Sequence, residues 1–329
     1  MKTGDRGIRC SILKLYNMKS LIKLSAIALL VSVFVACNEK PKKEVKKDEG
    51  FEETAFMPCC GEPSSNEEVL TINLALNDTY CKKTACACIH DIAAREYEEL
   101  QKQLMEQFNI DLQITYYMEP YMMEDQLRAK THDGVITKPW NAFMLMKENH
   151  FRYERIADIL DVYDNQWLTG VYLVRKDSDI KTMDDINGRT LVAGQEDAYE
   201  KYHAPLRQLD SMNIKPGKIY YKASCLESIN ELMDKKAEVA IVSDYVMSAS
   251  CAVDVASEDD FRVIGETEKM PLCSVVLDRK KISKEDAMRF QKALLALSKD
   301  KSPEGMLSAG FVKPASWIPN PYKKSIAQN

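Results

Sequence analysis

From Glu68 onward apolar residues recur in two rhythms. Leu70–Leu76 (LTINLAL) alternates apolar and polar positions, the period of a half-buried strand. Leu112–Tyr117, Gly134–Thr137, Val171–Arg175, Arg189–Val192, Ile219–Tyr221, Val239–Val242, Arg262–Ile264 and Ser274–Leu277 are further short strand-like runs. Other stretches follow the helical period. Asp91 is placed to cap a helix in which Ala93, Tyr97, Leu100, Leu104 and Phe108 share a face. Ser283-Lys284-Glu285-Asp286 has the form of a capping box that opens a helix to about Ser298, and Pro303 suits the first turn of a last helix. Strands alternating with helices predict an α/β chain: open sheets with helices on both faces. No internal repeat is present.

The first 67 residues have a different pattern. Lys19 and Lys23 precede a 13-residue, mainly apolar run, Leu24 to Ala36, which ends at Cys37. That run is too short for a hydrocarbon core of about 30 Å but suits an export signal with a small residue at the cut. The cysteine makes it a lipobox, so residues 1–37 read as a signal peptide and Cys37 as the lipidation site. The start codon read this way is Met18. Residues 38–67 are charged and poor in apolar side chains, and read as a disordered tether. The protein is then extracytoplasmic and lipid-anchored to a bacterial membrane.

Past Cys37 remain 39 of the 45 Lys and Arg and 49 of the 50 Asp and Glu, a net charge of about −10. An acidic surface argues against nucleic acid as a partner. Eight of the ten cysteines fall in the exported part, where disulfides are the default. Adjacent Cys59 and Cys60 and the tight group Cys81, Cys86 and Cys88 fit that default poorly, because a bridge needs Cα atoms about 4.4–6.8 Å apart. Three readings stay open for the group: a disulfide within it or to Cys59 or Cys60, a metal or thiophile site, or buried free thiols. Cys225 and Cys251 are similarly open to pairing. No Ser-His-Asp order, phosphate loop or HExxH is present, so the chain does not read as an enzyme.

Several segments in order resemble the substrate-binding lipoproteins of phosphate, phosphite and phosphonate ABC transporters. Val174–Ile180 followed by Met183–Arg189 resembles that family's entry to its second lobe. Tyr220–Ser228 with Ala237–Val242 resembles a second-lobe loop and strand. Phe261–Ile264 through Pro271 and Val275-Val276 resembles the return strand, and Ser302–Val312 the closing segment. The resemblance implies a two-lobed type II periplasmic binding protein with its ligand cleft between the lobes. Lobe one would be 68–177 plus 265–329, and lobe two 178–264. A small ligand, an ABC permease and an ATPase would be its partners, and the protein would be a monomer.

The resemblance also points to site positions. The family's Ser-Thr-Ser-Gly run, which binds an oxyanion, corresponds to Ala198, Tyr199, Glu200 and Lys201. Its second-lobe histidine corresponds to Cys225, and a first-lobe glycine to Lys138, ahead of Pro139 and Trp140. Candidate ligand-binding residues are thus Cys81, Cys86, Cys88, Lys138, Trp140, Tyr199, Glu200 and Cys225. Thiols in the cleft loops, with Met118, Met122, Met123 and Cys273 nearby, suit a soft ligand: Cu, Zn or a metalloid. Cys81, Cys86, Cys88 and His90 are the candidate metal set. His132 and His203 read as surface residues. A second reading of the same fold is a metal- or metalloid-binding sensor or chaperone that feeds a membrane kinase or oxidoreductase.

Overall fold

The computed structural model describes residues 68–85, 95–248, 255–297 and 301–323. The chain divides after Pro58 into two units, and every described residue belongs to the second, Cys59–Asn329. The signal peptide, the tether, Cys37, Cys59, Cys60, Cys86, Cys88, His90 and Cys251 lie outside the described residues.

Strands β1 (Leu70–Asn77), β2 (Ile110–Tyr116), β3 (Gly134–Thr137), β4 (Tyr153–Ile159), β12 (Cys273–Asp278) and β13 (Phe311–Val312) form the first sheet, in the order β13-β4-β12-β3-β1-β2. β1 runs parallel to β2 and β3, while β12 runs antiparallel to both β3 and β4. Alternation along β1 sends Ile72, Leu74 and Leu76 to one face. There they meet Leu100 and Leu104 of α1 (Glu98–Phe108) and Phe290 and Leu294 of α6 (Lys284–Ala296). Ala75, Val135 and Val276 face the other way, against Leu127 of α2 (Glu124–Arg128) and Ala142, Leu145 and Met146 of α3 (Pro139–Glu148). Each such large side chain contributes roughly 1.5–3 kcal/mol by leaving water.

The second sheet has the order β10-β6-β9-β7-β8, from β6 (Gly170–Arg175), β7 (Thr190–Ala193), β8 (Lys218–Tyr221), β9 (Val239–Ser243) and β10 (Phe261–Glu266). Helix α4 (His203–Ser211) supplies Leu209 to the face formed by Tyr172, Val174, Leu191 and Ile241. Helix α5 (Cys225–Met233) packs Ile229 and Leu232 on the opposite face, against Leu173, Val192 and Phe261. Two short strands join the sheets: β5 (Trp167–Leu168) pairs antiparallel with β11 (Met270–Pro271), Leu168 opposite Met270 and Trp167 opposite Pro271. The chain therefore crosses between lobes twice, side by side.

The two-lobed α/β architecture is as expected, and several local expectations are corrected. The outgoing crossing falls at Trp167–Leu168 rather than near residue 177, because Val171–Arg175 hydrogen-bonds to β9 and β10 in the second sheet. The return falls at Met270–Pro271 rather than at 265, because β10 extends to Glu266. The helix expected from Asp91 is described from Glu98, with Tyr97 as its N-cap residue. Among the described residues no helix follows Pro303. Gly305 (φ 82°), Leu307 (φ 42°) and Gly310 (φ 105°) take left-handed backbone, which breaks any helical run. Strands β4 and β13 add to those the pattern predicts.

Candidate functional site

The loops that follow β1, β3, β7 and β9 leave the C-terminal ends of parallel strands, where open α/β sheets bind ligands. Lys138 ends the loop after β3. It is the N-cap residue of α3, with Pro139 fixed at the first helical position and Trp140 behind it. After β7 the chain makes tight turns: Ala198 N–H donates to Gln195 O (3.0 Å) and Lys201 N–H to Ala198 O (3.0 Å). These turns place Tyr199, Glu200 and Lys201 just ahead of α4. Gly170, two residues past the crossing, allows the turn to come close, since a Cβ there would sit 1.9 Å from the Glu200 carbonyl oxygen.

The two lobes meet through these residues. Lys138 Nζ donates to Glu200 Oε1 at 3.0 Å, and Ser243 Oγ, at the end of β9, donates to the same oxygen at 2.8 Å. Glu200 is fully buried. Burial alone would raise its pKa; Lys138 and Lys201, with the Ser243 hydrogen bond, outweigh that and hold it down to about 2. Glu200 Oε2 is buried with no hydrogen-bond partner among the described residues. Lys201 Nζ lies 3.6 Å from Cys225 Sγ. Burial opposes its charge, but Cys225 and Glu200 hold the ammonium above its ordinary range.

Beside this pair stands an aromatic stack. The Trp140 ring lies 5.1 Å from Tyr199, 4.3 Å from His203 and 5.7 Å from Phe143, centroid to centroid. Trp140 is 1% exposed, and its indole N–H donates to Glu196 O at 3.2 Å. The Tyr199 hydroxyl bonds to Glu268 and accepts from Arg207. The tail after β13 crosses the same junction. Arg155 of β4 holds the Ala315 and Trp317 carbonyls, the Trp317 ring meets Tyr199 edge-on at 5.2 Å, and Tyr322 N–H donates to His203 Nδ1 at 3.0 Å. That bond requires Nδ1 to be unprotonated. Nε2 faces the Glu196 carbonyl at 2.9 Å and so carries the proton, leaving His203 neutral. Burial lowers its pKa accordingly.

On the crossing strands' side of Lys138 lies a cavity of about 460 Å³. Tyr80, Trp167 and Tyr245 give it aromatic walls, Asp161 and Asp244 its carboxylates, and Leu272 and Leu307 apolar surface. Arg95 at its edge is committed to Asp78 (2.8 Å) and to the Met306 and Leu160 carbonyls. Burial first, then the Glu200 charge, raises the Asp244 pKa to about 6, against the lowering effect of its bond from Thr169 N–H.

The structure thus brings together Lys138, Trp140, Tyr199 and Glu200, and Cys225 stands near them through Lys201. Cys81 is elsewhere: it is buried in the first-lobe core with Cys273, whereas Cys225 belongs to a second-lobe core. All three are free thiols, and burial raises the pKa of Cys81 and Cys273. Cys81 and Cys225 therefore do not share a site. Among the described residues no three His, Cys, Asp or Glu side chains converge as a metal site. The methionines do not cluster either: Met118 and Met122 are half exposed and Met123 is buried in the first-lobe core. His132 and His203, expected at the surface, are 5% and 1% exposed, because each ring finds local hydrogen-bond partners. Sequence reasoning missed Tyr80, Ser243, Asp244 and Tyr245. The last three directly follow the apolar run of β9, and that position at a strand's C-terminal end was the available signal.

Two α/β lobes, a paired double crossing and strand-end loops that meet between the lobes define a two-lobed solute-binding protein. Over residues 90–315 the chain matches the model of the ABC transporter phosphonate periplasmic substrate-binding protein family, and it belongs to that family. No curated protein matches it. Among solved structures it is similar to XAC2383 of Xanthomonas citri bound to ATP, at 16% identity and a TM-score of 0.56, covering 74% of this chain and 91% of that one. A binding-protein component of an ABC phosphonate transporter from Pseudomonas aeruginosa (PA3383) matches at 13% identity and a TM-score of 0.52, over 75% and 82% of the two chains. PhnD1 of Prochlorococcus marinus, in complex with methylphosphonate, matches at 11% identity and a TM-score of 0.51, over 76% and 93%. The family is one of periplasmic substrate-binding proteins that work with an ABC permease and ATPase. No described helix is long and apolar enough to cross a membrane.

Proposed function

We propose that this chain is the lipid-anchored solute receptor of an ABC importer, with Cys37 as its acylated residue, and that it captures a small organic solute between its lobes. The observation that carries the reading is the 460 Å³ cavity beside the paired crossing strands, walled by residues of both lobes. Its chemistry favours an uncharged or cationic solute over an oxyanion: four aromatic side chains, two carboxylates, and an arginine already held by Asp78. Hinge motion about β5 and β11 would open and close the site, and closure would present the loaded form to the permease.

A panel of small amines, amino acids, sugars and phosphonates tests this by thermal melting, followed by small-angle scattering on each hit. At least one non-anionic solute should raise the melting temperature and alter the radius of gyration. A panel in which only phosphonates act would overturn the solute class, and a panel without any hit would overturn the receptor reading. Palmitate labelling of the full chain and of Cys37→Ala tests the anchor: label should enter the first and not the second.

A further inference from the structure

Each lobe gives the cavity one carboxylate: Asp161 from the loop after β4, Asp244 from the end of β9. Asp161 Oδ1 accepts from the Tyr163 and Asn165 N–H groups, both at 2.8 Å, and among the described residues nothing donates to Oδ2. Asp244 Oδ2 accepts from Thr169 N–H at 3.0 Å. Among the described residues neither carboxylate forms an ion pair, and the arginine of the wall, Arg95, is held by Asp78 at 2.8 Å. The rings carry a matching signal. Trp140 and Trp317 each pack against another ring, and Trp317 also faces Arg155 at 6.0 Å. Half-buried Trp167 has neither a ring nor a cation against it among the described residues, and nor does Tyr163, 87% exposed at the rim. Tyr80 and Tyr245 already have cations nearby, Arg95 at 5.7 Å and Lys138 at 6.0 Å. Ring faces attract cations, and an indole face does so most strongly. Carboxylates without an ion partner beside an indole without a ring partner are the complement of a positive charge on a carbon body.

We propose that the cavity takes an organic ammonium ion, its charge neutralised by Asp161 and Asp244 and its carbon body set against Trp167 and Tyr163. The proposal rests on the receptor reading above and narrows it to one charge class. Because the carboxylates belong to different lobes, such a cation ties the lobes together as it binds. Asp244 also makes capture sensitive to pH. Burial raises its pKa to about 6; the Thr169 N–H lowers it, the Glu200 charge raises it, and the Tyr245 N–H and Lys138 lower it. Tyr80, Arg95 and Asp161 are the other titratable groups around it on the cavity wall, with Tyr163 and Tyr245. A bound cation favours the ionised carboxylate, so affinity should fall as pH drops through 6.

Isothermal titration of the wild-type chain at pH 8 compares choline, putrescine and phenethylamine with their uncharged counterparts 3,3-dimethylbutan-1-ol, butane-1,4-diol and 2-phenylethanol. At least one ammonium ion should bind at least about 30-fold more tightly than its counterpart. The same ion should bind at least about fivefold more weakly at pH 5 than at pH 8. Asp244→Asn and Asp161→Asn keep an acceptor oxygen for the N–H groups these side chains now hold, so both should fold as wild type by circular dichroism. Each should weaken that ammonium ion at least about tenfold, and Asp244→Asn should also flatten the pH dependence. The proposal is overturned if none of the three ammonium ions binds, if each counterpart binds as well as its ion, or if both folded variants keep full affinity. The comparison on the wild-type chain decides the charge class without any variant. A sugar or phosphonate hit in the solute panel, with no ammonium ion bound, would overturn this proposal and leave the receptor reading standing; only a panel without any hit removes both.

Discussion

The junction between the lobes has two parts with different chemistry. Around Trp140 the chain is closed on itself: Tyr199, His203 and the tail residues Trp317 and Tyr322 pack ring against ring, and the polar atoms of Trp140 and His203 are matched. Around Trp167 and Tyr245 the walls are also aromatic, but they stand apart and enclose a cavity that carries two carboxylates. Lys138 stands at the boundary, paired with Glu200 and 6.0 Å from the Tyr245 ring centroid. The same residue types therefore serve adhesion in one part and capture in the other. The difference is whether the rings close on one another or stand apart around a space.

Removing the centre of the closed part should have the largest effect. Trp140→Ala leaves a large void and removes one of the two hydrogen bonds to the Glu196 carbonyl, and should cost about 3–5 kcal/mol in urea unfolding. A loss below about 1 kcal/mol would mean that the stack contributes little to stability.

Acid should act on the two parts in opposite senses. His203 has a folded pKa below its ordinary 6.5, so it contributes stability that is present above that value and lost as pH falls through the folded pKa. Protonation of Nδ1 would also cancel the bond from Tyr322. Asp244 has a folded pKa of about 6 against an ordinary 3.8, so its contribution is present below 3.8 and lost as pH rises through 6. Urea midpoints measured from pH 4 to 8 should show this. His203→Gln should lose less stability on acidification than wild type, and Asp244→Asn should gain most at neutral pH. Parallel curves for all three proteins would refute the contrast. Glu200 should be insensitive above pH 4.5, because its stabilising effect declines only as pH falls from 4.5 toward about 2.

The smallest effect on stability belongs to the cavity rim. Leu307 is 50% exposed, and Leu307→Trp should change unfolding free energy by no more than about 0.5 kcal/mol. It should nonetheless weaken capture of any solute found by the panel at least about tenfold, by filling the cavity. Unchanged affinity would move the solute elsewhere in the cleft.

Much of the scaffold was legible because its strands are short, apolar and buried on both faces: β3 coincides with the expected Gly134–Thr137, and β1 exceeds Leu70–Leu76 by one residue. β4 was hidden by its own charges. Arg155 and Asp158 sit within the strand, yet they pair with each other at 2.6 Å and bind Ser274 and the tail, so a polar pattern forms buried structure. The lobe boundary was misplaced because Val171–Arg175 is a good strand in either sheet, and only pairing with β9 decides which. Lys138 and Glu200 were each recognised as cleft residues facing a ligand. That they face each other across 62 positions of sequence is a tertiary fact with no local trace.

The chain contains three tryptophans. Trp140 is in the closed stack, Trp167 in the outgoing crossing strand and Trp317 in the tail where it meets the second lobe. Neither lobe's interior has one of its own. Intrinsic indole emission is therefore an unlabelled optical gauge of the junction alone, and a change in its colour or quenching on adding a solute reads hinge movement with no background from either core.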